Sequence, residues 1–189
     1  MFPSLSLLWS RLLAFAVDYL FIALYLLLLV GLGALIRLTP LSADFGALFA
    51  NPASAELTSF ILLVLPVLLY FALMESSRWQ ATIGKRAIGF RVVTMDGGQV
   101  GFPRALLRNA LKLIPWELAH ACLWRIPGWP LNPQTPPVWV TLGLVLVWVV
   151  VAIYAIGLAI SKTGQTPYDH LAGVRVERVK LTAQRAARG

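Results

Sequence analysis

Residues 12–36, LLAFAVDYLFIALYLLLLVGLGALI, decide the fold class. Only one charge, Asp18, and two glycines, Gly31 and Gly33, interrupt the apolar run. A helix crosses the hydrocarbon core of a bilayer with about 20 apolar residues. This stretch is therefore read as a membrane span. The rest of the chain agrees with it. Hydrophobic residues make up 59% of the 189 and charged residues only 13%, whereas a soluble domain carries about 25% charge. So little polar surface cannot cover a water-facing globule.

Further apolar runs follow. Residues 58–74 form a shorter candidate span, with Pro66 at its centre predicting a kink. Residues 138–160 form a third, carrying Trp139, Trp148 and Tyr154. Residues 109–126 are ambiguous, because Lys112, Pro115, Glu117, His120 and Arg125 interrupt them. They suit either a crossing helix or an amphipathic helix on the surface.

Basic residues favour the crossing. With four spans and both termini cytoplasmic, the inside holds Arg11, the seven residues from Arg78 to Lys112 and the six from Lys162 to Arg188. That is fourteen against two outside, Arg37 and Arg125. Three spans would put the basic tail outside, against the positive-inside rule. The net charge of +8 is thereby assigned to topology and not to nucleic acid. No charged n-region precedes the first apolar run, and that run exceeds the 7–15 residues of a signal-peptide core, so a cleaved leader is not expected. The single cysteine, Cys122, leaves no intramolecular disulfide or multi-cysteine metal site.

The expected fold is an all-α integral membrane protein, one domain over 1–189, a four-helix bundle with a small cytoplasmic β unit. The β elements are read at 88–100, where Ile88-Gly-Phe-Arg-Val-Val-Thr runs into Met95-Asp-Gly-Gly, and at 173–179. Ala87-Ile-Gly-Phe-Arg-Val and Leu171-Ala-Gly-Val-Arg-Val resemble each other faintly, as two parallel helix–helix–strand repeats would.

Ionisable residues inside spans are functional candidates by default. Asp18 shares a helix face with Arg11 and lies about 10 Å deeper. Glu117 and His120 are one turn apart, with Glu117 about 13 Å beyond Arg108. Asp18, Glu117 and His120 at one level would suit a proton or cation site, since histidine titrates near neutral pH. Helix–helix hydrogen bonds account for them equally well. Pro115 releases a backbone carbonyl in the same turn that needs a partner, and Arg108 or Lys112 could pair with Glu117. Glu75 is read as an exposed pair with Arg78 at i+3. Glu117-x-x-His120 has the spacing of a di-metal bundle motif, but in one copy, so no metal is expected. The residues show no nucleophile–base motif, no phosphate loop and no cofactor signature, so an enzyme is the least expected class.

Three stretches together carry a family likeness. They are Arg11-Leu-Leu-Ala-Phe-Ala-Val-Asp18, Thr82-Ile-Gly-Lys-Arg-Ala-Ile-Gly-Phe-Arg-Val-Val with Arg104-Ala-Leu-Leu-Arg-Asn, and Asp169-His-Leu-Ala-Gly-Val. In combination and order they resemble the RDD family of bacterial membrane proteins, named for one arginine and two aspartates. By position these are Arg11, Asp18 and Asp169. Tyr168 stands where the family has histidine, His170 follows the aspartate, and Val174 replaces a threonine. The resemblance implies a multi-pass protein of the bacterial cytoplasmic (inner) membrane, and sodium/proton antiport as one activity. It also suggests an interfacial Arg11–Asp169 ion pair. Two functions follow. One is a small-cation (Na+) or proton transporter, working as a homo-oligomer because four helices enclose little space. The other is a non-transporting scaffold holding anionic lipids or a protein partner on its basic face (Lys85, Arg86, Arg91, Arg175, Arg178, Lys180).

Overall fold

The computed structural model describes residues 5–179; Lys180, Arg185 and Arg188, assigned above to the inner side, lie outside them. Helix α1 (Leu5–Ile36) is followed by a short α2 (Ser42–Ala47). Helices α3 (Pro52–Ser59) and α4 (Leu65–Ser76) are joined through a π-helical turn, Phe60–Val64. After α5 (Ile83–Ala87) and β1 (Phe90–Thr94) come α6 (Phe102–Leu123), α7 (Val138–Ile160), α8 (Pro167–Leu171) and β2 (Val174–Arg178). Three helical stretches, Trp9–Ile36, Pro52–Ser76 and Val138–Ile160, are long and apolar enough to cross a membrane.

The second span is longer than its apolar run, and α6 begins well before residue 109. Both helices start at a proline in the first turn, which Asn51 caps in one case and Gly101 precedes in the other. Proline is tolerated there because the first amides have no intrahelical partner. The strand expectation holds: β1 and β2 pair antiparallel, Val92 opposite Val176.

The two internal prolines are resolved in the same way. Pro66 cannot donate to the carbonyl of Leu62, and the helix widens into the π turn just before it. The freed oxygen accepts a hydrogen bond of 2.6 Å from the hydroxyl of Tyr25 on α1. Pro115 likewise frees the carbonyl of Leu111, which accepts one of 2.6 Å from Tyr154 on α7. Away from water an unsatisfied carbonyl is costly, so neighbouring helices supply the donor. Each proline thus fixes a helix pair.

The faint sequence echo is a structural repeat. Shifted by 84 positions, as from Thr82 to Thr166, residues 77–92 superpose in kind on 161–176. Ser77 and Ser161 accept at their carbonyls from Gln80 and Gly164, both with positive φ (50° and 68°). Thr82 and Thr166 cap five-residue helices through the same side-chain bond, from Lys85 N and Asp169 N. Gly89 and Gly173 end those helices at φ 78° and 63°, a left-handed stop that glycine enters freely. The strands then pair so that the equivalent residues Val92 and Val176 face each other. The two units are therefore related by a local two-fold through that pair.

Buried apolar residues gather where these units meet the helices. Ala72, Val92, Val100, Ala105, Ala172 and Val174 form one cluster at the sheet end of the bundle. Higher up, α1 turns one narrow stripe inward, Ala14, Asp18 and Ile22 being buried, while most of its apolar surface and that of α7 stays exposed. Such faces suit lipid contact, where apolar exposure carries no penalty.

Candidate functional site

Asp18 is buried where α1 meets α5. Its carboxylate accepts from Thr82 Oγ1 at 2.6 Å, the Gly84 amide at 2.8 Å and Tyr70 Oη at 2.9 Å. Two of these donors come from the first turn of α5, whose amides lack intrahelical partners. Bonds to a charged acceptor are stronger than neutral ones and here replace the water lost on burial. The approach requires glycine: a Cβ on Gly84 would lie 2.0 Å from the Ala14 carbonyl oxygen and 2.9 Å from Asp18 Cγ.

Beside it runs a buried ionic chain. Lys85 pairs with Glu75. Arg108 Nη1 donates to both Glu75 oxygens, at 2.8 and 2.9 Å. The other side of the same guanidinium reaches Asp169 Oδ1, Nε at 2.7 Å and Nη2 at 2.6 Å. Asn109 Nδ2 adds a bond of 2.7 Å to Glu75 Oε2. Glu75, Arg108 and Asp169 are each no more than 3% exposed. Burial pulls the Lys85 ammonium below the ordinary lysine range, and Glu75 opposes that fall. Two acids and two bases leave the chain neutral, which a buried site requires.

Several expectations are corrected here. The Asp169 charge attracts Arg11, but the two make no direct ion pair. Both Asp169 oxygens are occupied, Oδ1 by Arg108 and Oδ2 by the Thr166 amide at 3.0 Å, which closes the capping box of α8. Arg11 instead donates to the carbonyls of Gly164 and Val176, so it joins α1 to the second unit through backbone. Glu75 is not a surface partner of Arg78 but the centre of the ionic chain. Arg108 serves Glu75 and Asp169, not Glu117. Lys112 Nζ sits 3.2 Å from the centroid of the Phe71 ring and makes no ion pair among the described residues.

The proposed layer of Asp18, Glu117 and His120 is not brought into one hydrogen-bonded site. The donors to Asp18 come from α4 and the approach to α5. Glu117 and His120 lie along α6, His120 with its ring 5.7 Å from that of Trp116, which meets Tyr19 of α1 edge-on at 6.3 Å. Glu117 Oε2 and His120 Nδ1 are buried atoms with no hydrogen-bond partner among the described residues. His170 is exposed, whereas Tyr168 is turned in, its ring against Tyr154 at 5.1 Å and under Arg108 at 5.4 Å.

Residues 5–134, more than half of the chain, match the RDD family. The chain belongs to the RDD family. It is accordingly a multi-pass membrane protein, with three spans evident from length and composition. No curated protein and no solved structure matches it. In this RDD protein the matched stretch holds Arg11 and Asp18, while Asp169 lies beyond it. All three act on backbone. Asp18 takes the Gly84 amide at the start of α5, Asp169 takes the Thr166 amide at the start of α8, and Arg11 takes two carbonyls of the second unit.

Proposed function

We propose that this RDD protein moves protons or small cations across the bacterial cytoplasmic membrane, with Glu117 and His120 on α6 as the protonatable station. One observation carries the reading: a carboxylate oxygen and an imidazole nitrogen, one helical turn apart, are buried without hydrogen-bond partners. In a membrane helix such groups are costly and mark ion or proton paths. A small cation or a proton-carrying water held between the two would satisfy both. Asp18, held by three donors, is a fixed structural element in this reading.

The reading needs α6 to cross the membrane. Its support is the course of α6 along the second span. Arg108 meets Glu75 at one end, and at the other Trp124 Nε1 donates to Ser59 Oγ at 2.7 Å and Arg125 pairs with Glu56 at 2.6 Å. Four crossings put both termini on one side, and the fourteen-to-two distribution of basic residues makes that side the cytoplasm. The exposed apolar faces of α1 and α7 leave room for a homo-oligomer to complete the path.

The test is proton flux into proteoliposomes carrying a pH-sensitive dye, driven by a sodium or potassium gradient. Flux is expected from the parent chain and loss of it from Glu117→Gln, with Asp18 left intact. Absence of flux in the parent, or full flux in Glu117→Gln with His120→Phe, overturns the reading. A second reading is a non-transporting accessory protein. It is favoured by the sheet face, where Arg91 and Arg175 share a single partner, Glu177, leaving excess positive charge. A stoichiometric protein partner retained through purification from native membranes would support it.

A further inference from the structure

The repeat makes the two units comparable position by position, and one of their differences borders an open space. Where α7 ends and turns into α8, the second unit has an open cleft of about 340 Å³. Gly157, Ile160 and Pro167 supply its apolar lining, and Lys162, Thr163 and His170 supply polar lining. In the first unit the equivalents of Lys162, Thr163 and His170 are Arg78, Trp79 and Arg86. There the Arg86 guanidinium lies over the Trp79 ring, 4.2 Å from its centroid. In the second unit the much smaller Thr163 stands at the position of that indole, beside the open cleft.

Charge and location say what suits that space. Lys162 and His170 are exposed and pair with no carboxylate among the described residues, while the neighbouring Asp169 is turned inward onto Arg108. Ile160 is the last residue of a membrane-spanning helix, so the cleft opens at head-group depth. Its lining changes there from apolar to basic.

We infer that this cleft holds the phosphate of an anionic phospholipid. The Lys162 ammonium and a His170 ring N–H donate to the phosphate oxygens, and the acyl chains run along α7 past Gly157 and Ile160. Lipid is favoured over a free anion because the lining is mostly apolar and continuous with the span. The inference stands apart from the transport reading, since it uses neither Glu117 nor His120.

Native mass spectrometry of the full chain in detergent tests it, with phosphatidylglycerol titrated against phosphatidylcholine. Preferential retention of phosphatidylglycerol is expected, and Lys162→Gln is expected to weaken it about fivefold, the value of one basic side chain near an anionic surface. Thr163→Trp, which sets in the cleft the indole that the first unit carries at this position without changing charge, is expected to lower retention at least as far. Thr163→Leu serves as a smaller filler if the tryptophan variant does not fold. Equal retention of the two lipids overturns the inference. So does a loss with Lys162→Gln but none with either filler, which would mean diffuse surface charge. Displacement of the lipid by millimolar inorganic phosphate would show that a free anion suffices and also overturns it.

Discussion

Arg108→Gln is the most informative single change, because one guanidinium holds two buried carboxylates. Losing one member of a buried ion pair costs about 3–5 kcal/mol, since the partner is left charged and dry. The structure says where that cost falls. Glu75 would keep Lys85 and the 2.7 Å bond from Asn109, whereas Asp169 would keep one hydrogen bond, from the Thr166 amide at 3.0 Å, and the more distant charge of Arg11. The penalty therefore centres on Asp169. Adding Asp169→Asn to Arg108→Gln is expected to recover about 2 kcal/mol, a coupling within the range seen for residues in one network. Adding Glu75→Gln instead strands Lys85 and recovers nothing. The assay is thermal unfolding in detergent, followed by fluorescence of the seven tryptophans. At about 2–4 °C per kcal/mol for a chain of this size, Arg108→Gln should lower Tm by roughly 10 °C. A shift under 2 °C would refute the reasoning, as would an Asp169→Asn change that adds to the damage instead of offsetting it.

Two further outcomes follow from the geometry. Gly84→Ala puts a methyl group 2.0 Å from the Ala14 carbonyl oxygen and should cost about 1–3 kcal/mol; the same melting assay checks it, and an unchanged Tm would mean that α1 is not held against α5. Tyr25→Phe and Tyr154→Phe each leave a proline-freed carbonyl unpaired, and each should cost about 1 kcal/mol, within the range for interhelical hydrogen bonds in membranes. Because they hold different helix pairs, the double variant should show the sum of the two losses.

The spans were legible because hydrophobic length is a local property. Residues 12–36 and 138–160 needed nothing beyond their own composition, and the β unit needed only the alternation around Val92 and Val176. Partner choice was not legible. For Glu75, sequence spacing offered Arg78, but its partners are Lys85, Arg108 and Asn109, brought to it by turns and by α6. For Asp169 it offered Arg11, whereas Asp169 shares Arg108 with Glu75; for Asp18 it offered a cation site or hydrogen bonds equally, without naming the amide and hydroxyls that bind it. Helical geometry gives depth and face along one helix; it does not say which helix end will supply free amides. The one signal available was the Thr-x-Gly pattern of Thr82 and Gly84, a capping residue followed by the one residue that permits close approach. Glu117 and His120 were singled out by their chemistry, and their depth near Asp18 did not make them its neighbours.

The repeat explains why the ionic chain can exist. Lys85 and Asp169 occupy equivalent positions of the two units, 84 residues apart, yet carry opposite charges. Between them lie Glu75 and Arg108, so the order is plus, minus, plus, minus. Had both units kept lysine, the chain would end on Lys beside Arg108; had both kept aspartate, Asp would lie beside Glu75. Either arrangement buries an uncompensated charge, which costs several kcal/mol. A two-fold arrangement of helices thus demands that the two units differ at this position. Lys85 is neutralised by Glu75 within the first half and Asp169 by Arg108 within the second, and the Glu75–Arg108 pair ties the two halves together. Exchanging only the two ends, Lys85→Asp with Asp169→Lys, sets like charges side by side at both of them. Reversing only the Lys85–Glu75 pair would restore an independent salt bridge, but in one continuous chain it sets a cation at position 75 against Arg108, and only reversal of all four charges restores the alternation.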